Sequence, residues 1–129
     1  MTDRDATAGA GTAVVLVAHG SRVAAANEAH QRLAALLADR PGIQVVAAFL
    51  ELATPAIPEA LDVAASAGEA VLVLPYFLLP GAHTTRDIPE LVESARDRWP
   101  AVRFDLLPHV GADDALIGLL AGQVATALR

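Results

Sequence analysis

Four side chains that can bind a metal ion or move a proton stand in short polar loops of this sequence. His19 lies in "AHGSR", Glu51 in "FLELATP", His83 in "GAHTTRDIP" and His109 in "LLPHVG". Imidazole nitrogens and carboxylate oxygens are ligands for divalent iron, cobalt, nickel, copper and zinc. An imidazole also exchanges protons near neutral pH, and a flanking carboxylate sets its basicity. These residue types therefore fit metal binding, proton removal or both together, as when a metal ion replaces the pyrrole protons of a macrocycle.

The segments that must position these side chains include four predicted strands, at 13–19, 43–51, 70–78 and 102–107. The first three are nearly continuous in apolar residues, which is typical of a parallel sheet covered on both faces. A segment with helical spacing follows each strand. With right-handed crossovers, this order predicts the α/β class: a three-layer α/β/α sandwich with a four-stranded parallel sheet, similar to one flavodoxin-like half.

The predicted helices are 24–40, 57–67, 87–99 and 113–128. Each should turn an apolar stripe towards the sheet. His30 stands in the first helix between charged and polar neighbours and is predicted to be a solvated surface residue. The stripes of the first, third and fourth helices are Ala25, Leu33, Leu36 and Leu37; Ile88, Leu91, Val92 and Ala95; and Leu116, Ile117, Leu120 and Val124.

The reactive residues should meet at one edge of the sheet. His19 ends the first strand, Glu51 ends the second, and His83 follows the third, while ligands of such sheets bind beyond the carboxyl ends of the strands. Any one histidine could instead bond a loop carbonyl, and Glu51 could cap or salt-bridge a neighbouring helix. Convergence after three successive strands favours a shared site. His109 stays open, because its loop holds no second polar partner.

The loop after the first strand offers a different kind of contact. The backbone N–H groups of Gly20 and Ser21 can meet a carboxylate or phosphate, and Arg22 can add a bidentate grip. The alternative for Ser21 is to N-cap the following helix.

Composition excludes several classes of protein. With 129 residues the chain fits one domain, predicted at 13–129 after a flexible tail at 1–12 that lacks the pattern of a secretory signal. The net charge of -6 argues against nucleic acid and anionic membrane surfaces as partners. The absence of cysteine removes disulfides, thiolate zinc sites and iron–sulfur clusters, and suits a reducing cytoplasm.

Three motifs resemble those of the class II chelatases, specifically the small sirohydrochlorin chelatases of siroheme and cobalamin synthesis. They are "HGSR" at 19–22, "FLE" at 49–51 followed by Pro55, and P-x-F-L-x-x-G-x-H-x-x-x-D-I-P at 75–89. The third is long and specific, and the resemblance runs over nearly the whole chain from Val14. It implies that His19, Glu51 and His83 line the metallation site.

The resemblance also implies an activity and an assembly. The expected reaction is insertion of Co(II) or Fe(II), as substrate, into a sirohydrochlorin-type tetrapyrrole without a redox cofactor. Longer relatives contain two such α/β halves, so a chain with one half is expected to form a homodimer around the cleft. The residues Phe77, Leu78 and Leu79 should then lie near that cleft.

Two other functions stay open. A carrier of metal or tetrapyrrole would use the same ligands without turnover. "AHGSR" also resembles the "RHG" of histidine phosphatases, but Ala18 stands where their arginine should be. A nucleotide fingerprint is not supported, because "GAGT" at 9–12 precedes the first strand instead of following it.

Overall fold

The structure is a computed structural model that describes residues 11–82 and 86–129. The predicted tail therefore lies outside the described residues except for Gly11 and Thr12, and so does His83. The division into a tail and a domain stays a prediction.

The described chain forms one parallel sheet with the strand order β2-β1-β3-β4. This order confirms the predicted α/β class, and it is the order of flavodoxin-like sheets, in which ligands bind where the strand order reverses, between β1 and β3. The strands are β1 (Thr12–Ala18), β2 (Gln44–Phe49), β3 (Ala70–Pro75) and β4 (Arg103–Leu106). The helices are α1 (Ala24–Ala38), α2 (Ile57–Ala67), α3 (Ile88–Arg98) and α4 (Ala115–Ala127), with a 3-10 turn at Val110–Ala112.

Right-handed crossovers place α2 and α3 on one face of this sheet and α1 on the other. The main core lies on the first face, where alternate residues of the strands meet the apolar stripes of α2 and α3. Ile88, Val92 and Ala95 of α3 are buried there, as predicted. Burying a whole Ile or Leu side chain stabilises a protein by about 1.5–3 kcal/mol, so this face holds the sheet rigid behind its carboxyl edge.

His30 is buried on the α1 face, and its predicted surface position is wrong. The residue is only 5% exposed, and Nε2 lies 2.9 Å from the carbonyl oxygen of Leu16. The ring packs edge-on against Phe49 at 5.2 Å and stacks with Tyr76 at 6.0 Å. An imidazole can be buried when a carbonyl accepts its N–H. Because His30 is buried in this way, the apolar stripe alone does not predict which side of α1 faces the sheet.

The first helix is consequently rotated from the predicted stripe. Its buried residues are His30 and Ala34, whereas Ala25 and Leu36 are exposed. Leu33 and Leu37 are half-buried.

The last helix is not covered by the described part of the chain. None of the predicted stripe of α4 is buried: Ile117 is 68% exposed, Leu120 51% and Val124 59%. The preceding turn is held firmly, because the Gly111 N–H donates to the Phe77 carbonyl at 2.9 Å and a Cβ on Gly111 would lie 1.6 Å from the Leu78 oxygen. An apolar stripe on a helix predicts that the stripe is buried, but it does not tell whether the same chain or another chain buries it. No helix in residues 11–82 and 86–129 is long and apolar enough to cross a membrane.

One ion-pair cluster ties α2 to the end of α3. Asp62 accepts hydrogen bonds from Arg98 Nε at 3.0 Å and from Trp99 Nε1 at 2.8 Å. The Trp99 bond, helped by the Arg98 guanidinium and opposed by desolvation, holds the pKa of the Asp62 carboxyl below its ordinary value.

Candidate active site

His19 and Glu51 meet at the carboxyl edge of the sheet. His19 follows β1 directly, Glu51 stands two residues after β2, and Ala18 is the register partner of Phe49. The two side chains are in contact, with 2.9 Å between His19 Nε2 and Glu51 Oε2, and each is about half exposed. The structure thus brings together two of the three predicted site residues, in reach of a ligand.

The backbone fixes this pair by extending the β1–β2 ladder beyond the strands. Leu50 N–H donates to the Ala18 carbonyl at 2.9 Å, and Glu51 N–H donates to the His19 carbonyl at 3.0 Å. The next residue, Leu52, has a φ of 66°, in the left-handed region that is unfavourable for a branched side chain. Such strain is maintained only where the surroundings impose it, and it is often found at functional sites.

Gly20 allows the β1 loop to lie directly against the β2 loop. Its φ is 98°, and a Cβ there would lie 1.7 Å from the Glu51 carbonyl oxygen. Any other residue would push the loops apart, so Gly20 sets the distance between the backbones that carry His19 and Glu51.

Ser21 is bound by Asn27, a residue that the sequence interpretation missed. Ser21 N–H donates to Asn27 Oδ1 at 2.9 Å, and Asn27 Nδ2 donates back to the Ser21 carbonyl at 2.8 Å. The N-cap residue of α1 is Val23, so the alternative role of Ser21 as N-cap is wrong, although its hydroxyl accepts the Val23 N–H at 3.0 Å. Arg22 is exposed. Substrate contacts by Gly20, Ser21 and Arg22 stay predictions.

His109 is not joined to the pair, and His83 lies outside the described residues. In residues 11–82 and 86–129 no three metal-binding side chains gather. His109 is half-buried and lines a separate cavity of about 360 Å³ with Leu74 and Leu107, at the end of β4.

A larger cavity of about 460 Å³ adjoins the His19 loop. It opens between the start of α1 and the carboxyl ends of β1 and β2. Its lining includes Gly20, Ser21, Asn27, His30, Phe49 and Tyr76.

The His19–Glu51 geometry suits both proton transfer and metal binding. With Nε2 donating to the carboxylate, a neutral imidazole carries its lone pair on Nδ1, and Glu51 offsets the charge that forms when this nitrogen takes a proton. Two ligands at right angles, each about 2.1 Å from an ion, lie about 3.0 Å apart. The observed 2.9 Å therefore also fits one ion held by both atoms.

Comparison with known proteins gives a consistent result. The sequence profile of the CbiX family matches residues 13–127. The chain is 38% identical over 82 residues to the sirohydrochlorin cobaltochelatase of Methanopyrus kandleri, covering 62% of this chain and 57% of that protein.

Two solved structures are also similar. A CbiX protein of cobalamin biosynthesis from Marinobacter aquaeolei VT8 has a TM-score of 0.75 and 27% identity, over 91% of this chain and 97% of that one. The sirohydrochlorin chelatase SirB of Bacillus subtilis subspecies spizizenii, in complex with cobalt, has a TM-score of 0.74 and 30% identity, over 89% of this chain and 50% of that one.

The matched lengths differ between these proteins. The chain spans only 50–61% of the length of the first curated relatives. It nevertheless covers nearly all of the Marinobacter chain.

Proposed function

This chain belongs to the CbiX family, and we propose that it is a sirohydrochlorin chelatase that inserts Co(II) or Fe(II) into the tetrapyrrole. The observation that carries this proposal is the His19–Glu51 pair at the carboxyl edge of the sheet, with 2.9 Å between the two side chains. Metallation needs a group that receives pyrrole protons and ligands that release an ion into the ring, and this pair has both capacities.

The proposed sequence of events uses the pair twice. His19 and Glu51 hold the divalent ion as substrate, with His83 as the predicted third ligand. As the ion passes to the pyrrole nitrogens, two pyrrole N–H protons leave the ring. The His19 imidazole accepts one and later releases it to water, the other passes directly to water, and Glu51 stabilises the imidazolium while it exists. No oxidation or reduction is required, because the metal enters and remains in the divalent state.

The surface around the His19–Glu51 pair suits a flat macrocycle that carries carboxylates at its periphery. Leu52, Tyr76 and Leu78 are between 45% and 60% exposed and follow the strands at this edge, so they offer apolar contact to the ring face. Arg22 is exposed in the loop after β1 and offers a bidentate contact to a peripheral carboxylate. We assign tetrapyrrole binding to this surface together with Gly20 and Ser21.

We also propose that two copies enclose the substrate. The similar SirB chain is about twice as long as the matched segment, whereas the Marinobacter chain is matched almost completely. A homodimer would supply the second half of a cleft, and it would cover the exposed apolar surface of α4. A cytoplasmic location belongs to the same proposal, because a cysteine-free chain suits a reducing compartment.

The proposal is tested by mixing purified protein with sirohydrochlorin and each of Co(II), Fe(II) and Ni(II), and following the absorbance of the tetrapyrrole. A chelatase accelerates the spectral change over the protein-free control and turns over many equivalents. A carrier shows binding with one equivalent at most and no acceleration. Binding without acceleration would contradict the proposed chelatase activity and favour the carrier function.

A further inference from the structure

The helix that follows the His19 loop is tied to β1 by two polar side chains on one face. His30 contacts the Leu16 carbonyl within the strand, and Asn27, three residues earlier, contacts Ser21 in the loop. Residues three apart on a helix lie one above the other, so both contacts act along the same line. The His30 contact fixes α1 on the sheet. Because Asn27 stands on the same helix, its contact with Ser21 fixes the loop relative to the sheet as well.

Both the oxygen and the nitrogen of the Asn27 carboxamide form hydrogen bonds with the Ser21 backbone. Its oxygen accepts the Ser21 N–H at 2.9 Å and its nitrogen donates to the Ser21 carbonyl at 2.8 Å. These bonds hold the backbone at the point where the β1 ladder has ended. Asn27 is half-buried, beside the 460 Å³ cavity.

The loop needs such a contact because Gly20 has no side chain that restricts its backbone. Gly20 separates His19 from Ser21, and glycine has the largest conformational freedom of any residue. On the strand side, the His19 carbonyl is held by the Glu51 N–H at 3.0 Å. On the helix side, the backbone N–H and carbonyl of Ser21 are both held by Asn27. Removing Asn27 leaves the loop anchored firmly at one end only.

We propose that Asn27 is a positioning residue for the reaction. It bonds Ser21, and through the short loop it keeps the His19 imidazole against the Glu51 carboxylate. This inference rests on the proposed function of the His19–Glu51 pair. A displacement of about 1 Å at a reacting group can reduce a rate on the order of a hundredfold, so a loop contact of this kind has a direct effect on turnover.

The test compares three variants of the full chain. Asn27→Ala removes both bonds to Ser21. Asn27→Asp keeps an oxygen that accepts the Ser21 N–H but loses the donor to the Ser21 carbonyl. Gln31→Ala is the matched control, because it removes an exposed amide one turn later on the same helix.

Two readouts are needed. Imidazole nitrogen–proton NMR spectra report the His19 environment, with the His19 signals assigned by their loss in His19→Gln and the unpaired reference taken from Glu51→Ala. Steady-state metallation gives kcat and KM for the tetrapyrrole.

In Asn27→Ala we expect the His19 signals to move towards the Glu51→Ala reference and kcat to fall roughly ten- to a hundredfold. We expect KM for the tetrapyrrole to rise by a smaller factor than kcat falls, because Ser21 is one of several proposed contacts with the substrate and the others are kept. Asn27→Asp should lie between this variant and the parent, and Gln31→Ala should match the parent in both readouts. Should Asn27→Ala fail to fold, the same direction of change in Asn27→Asp supports the proposal, and parent values in Asn27→Asp contradict it.

The positioning role is overturned if the folded Asn27 variants keep the parent His19 signals, whether or not kcat falls. A parent protein that shows no metallation would contradict the proposed function alone. The NMR comparison would still decide whether Asn27 holds His19 against Glu51.

Discussion

Gly20 is the residue on which the approach of the two site loops depends most directly. A Cβ at this position would lie 1.7 Å from the Glu51 carbonyl oxygen, and its φ of 98° is unfavourable for other residues. We predict that Gly20→Ala lowers the free energy of unfolding by about 3 kcal/mol or more, because the clash and the backbone strain act together. Urea unfolding followed by circular dichroism measures this loss.

A matched control is Gly118→Ala, within α4. Apart from its chain neighbours and the nearby backbone of its own helix, no described atom lies within 4 Å of a Cβ at Gly118. Alanine favours a helix over glycine by about 0.5–1 kcal/mol. This control should be neutral or stabilising. Equal stabilities of the Gly20→Ala and parent proteins would contradict the described contact between the loops.

At the same scale, the sequence placed His19 and Glu51 correctly because both end predicted parallel strands, whose carboxyl ends must meet. It misplaced His30, since a polar residue among charged neighbours on a helix is usually exposed, and only the nearby Leu16 carbonyl makes its burial acceptable. Asn27 gave no recognisable signal, because its partner Ser21 lies in a loop whose shape the sequence does not specify.

Among the secondary-structure elements, the Asp62 cluster connects α2 to the end of α3. The pKa of Asp62 is lowered in the folded protein, chiefly by the Trp99 hydrogen bond, so the carboxylate stabilises the fold at pH values above its ordinary pKa. That contribution is lost as the pH falls from about 4 through the lowered value, where the folded protein also takes up the proton. We predict that Asp62→Asn is less stable than the parent at pH 7 and that the difference narrows below about pH 4.

Urea unfolding at a series of pH values from neutral to acidic measures this effect. Asp97→Asn, an exposed carboxyl on α3, is the control and should follow the parent at each pH. A difference between Asp62→Asn and the parent that stays constant across the series would show that the charge of Asp62 does not stabilise the fold.

The strands and helices themselves were largely predictable from the sequence. Nearly continuous apolar runs marked the three longer strands, and Ile57–Ala67 matches the predicted second helix. The side that α1 turns to the sheet was not predictable, because its many alanines leave the apolar stripe weakly defined and the buried residues are His30 and Ala34.

For the whole molecule, α4 makes the strongest case for a second copy. Its apolar side chains are exposed in the described chain. The close contact of Gly111 with the Leu78 backbone fixes the direction in which the chain leaves the sheet before α4. We predict that the parent protein is a dimer at micromolar concentration and that Ile117→Glu combined with Leu120→Glu gives monomers, because charged side chains cannot be buried unpaired in an interface. Light scattering coupled to size-exclusion chromatography measures the mass.

The control for this prediction is Val63→Glu on α2. Val63 is 56% exposed, comparable with the α4 residues, but it lies on α2. It should leave the dimer unchanged. A fully active parent monomer, or an α4 variant that remains a dimer, would contradict the assignment of α4 to the interface.

The central claim is that the Glu51 carboxylate acts with His19 in metallation, and Glu51→Gln tests it most directly. The variant keeps the shape and an oxygen but removes the charge that stabilises a metal ion or an imidazolium. Glu69→Gln, at the amino end of β3, is the control, since it removes an exposed carboxylate from the opposite edge of the sheet. The measurement is the rate of Co(II) insertion into sirohydrochlorin, alongside tetrapyrrole binding and thermal unfolding. We predict that Glu51→Gln is folded, binds the tetrapyrrole nearly as the parent does and metallates it on the order of a hundredfold more slowly. A folded Glu51→Gln protein that inserts cobalt at the parent rate would contradict the account.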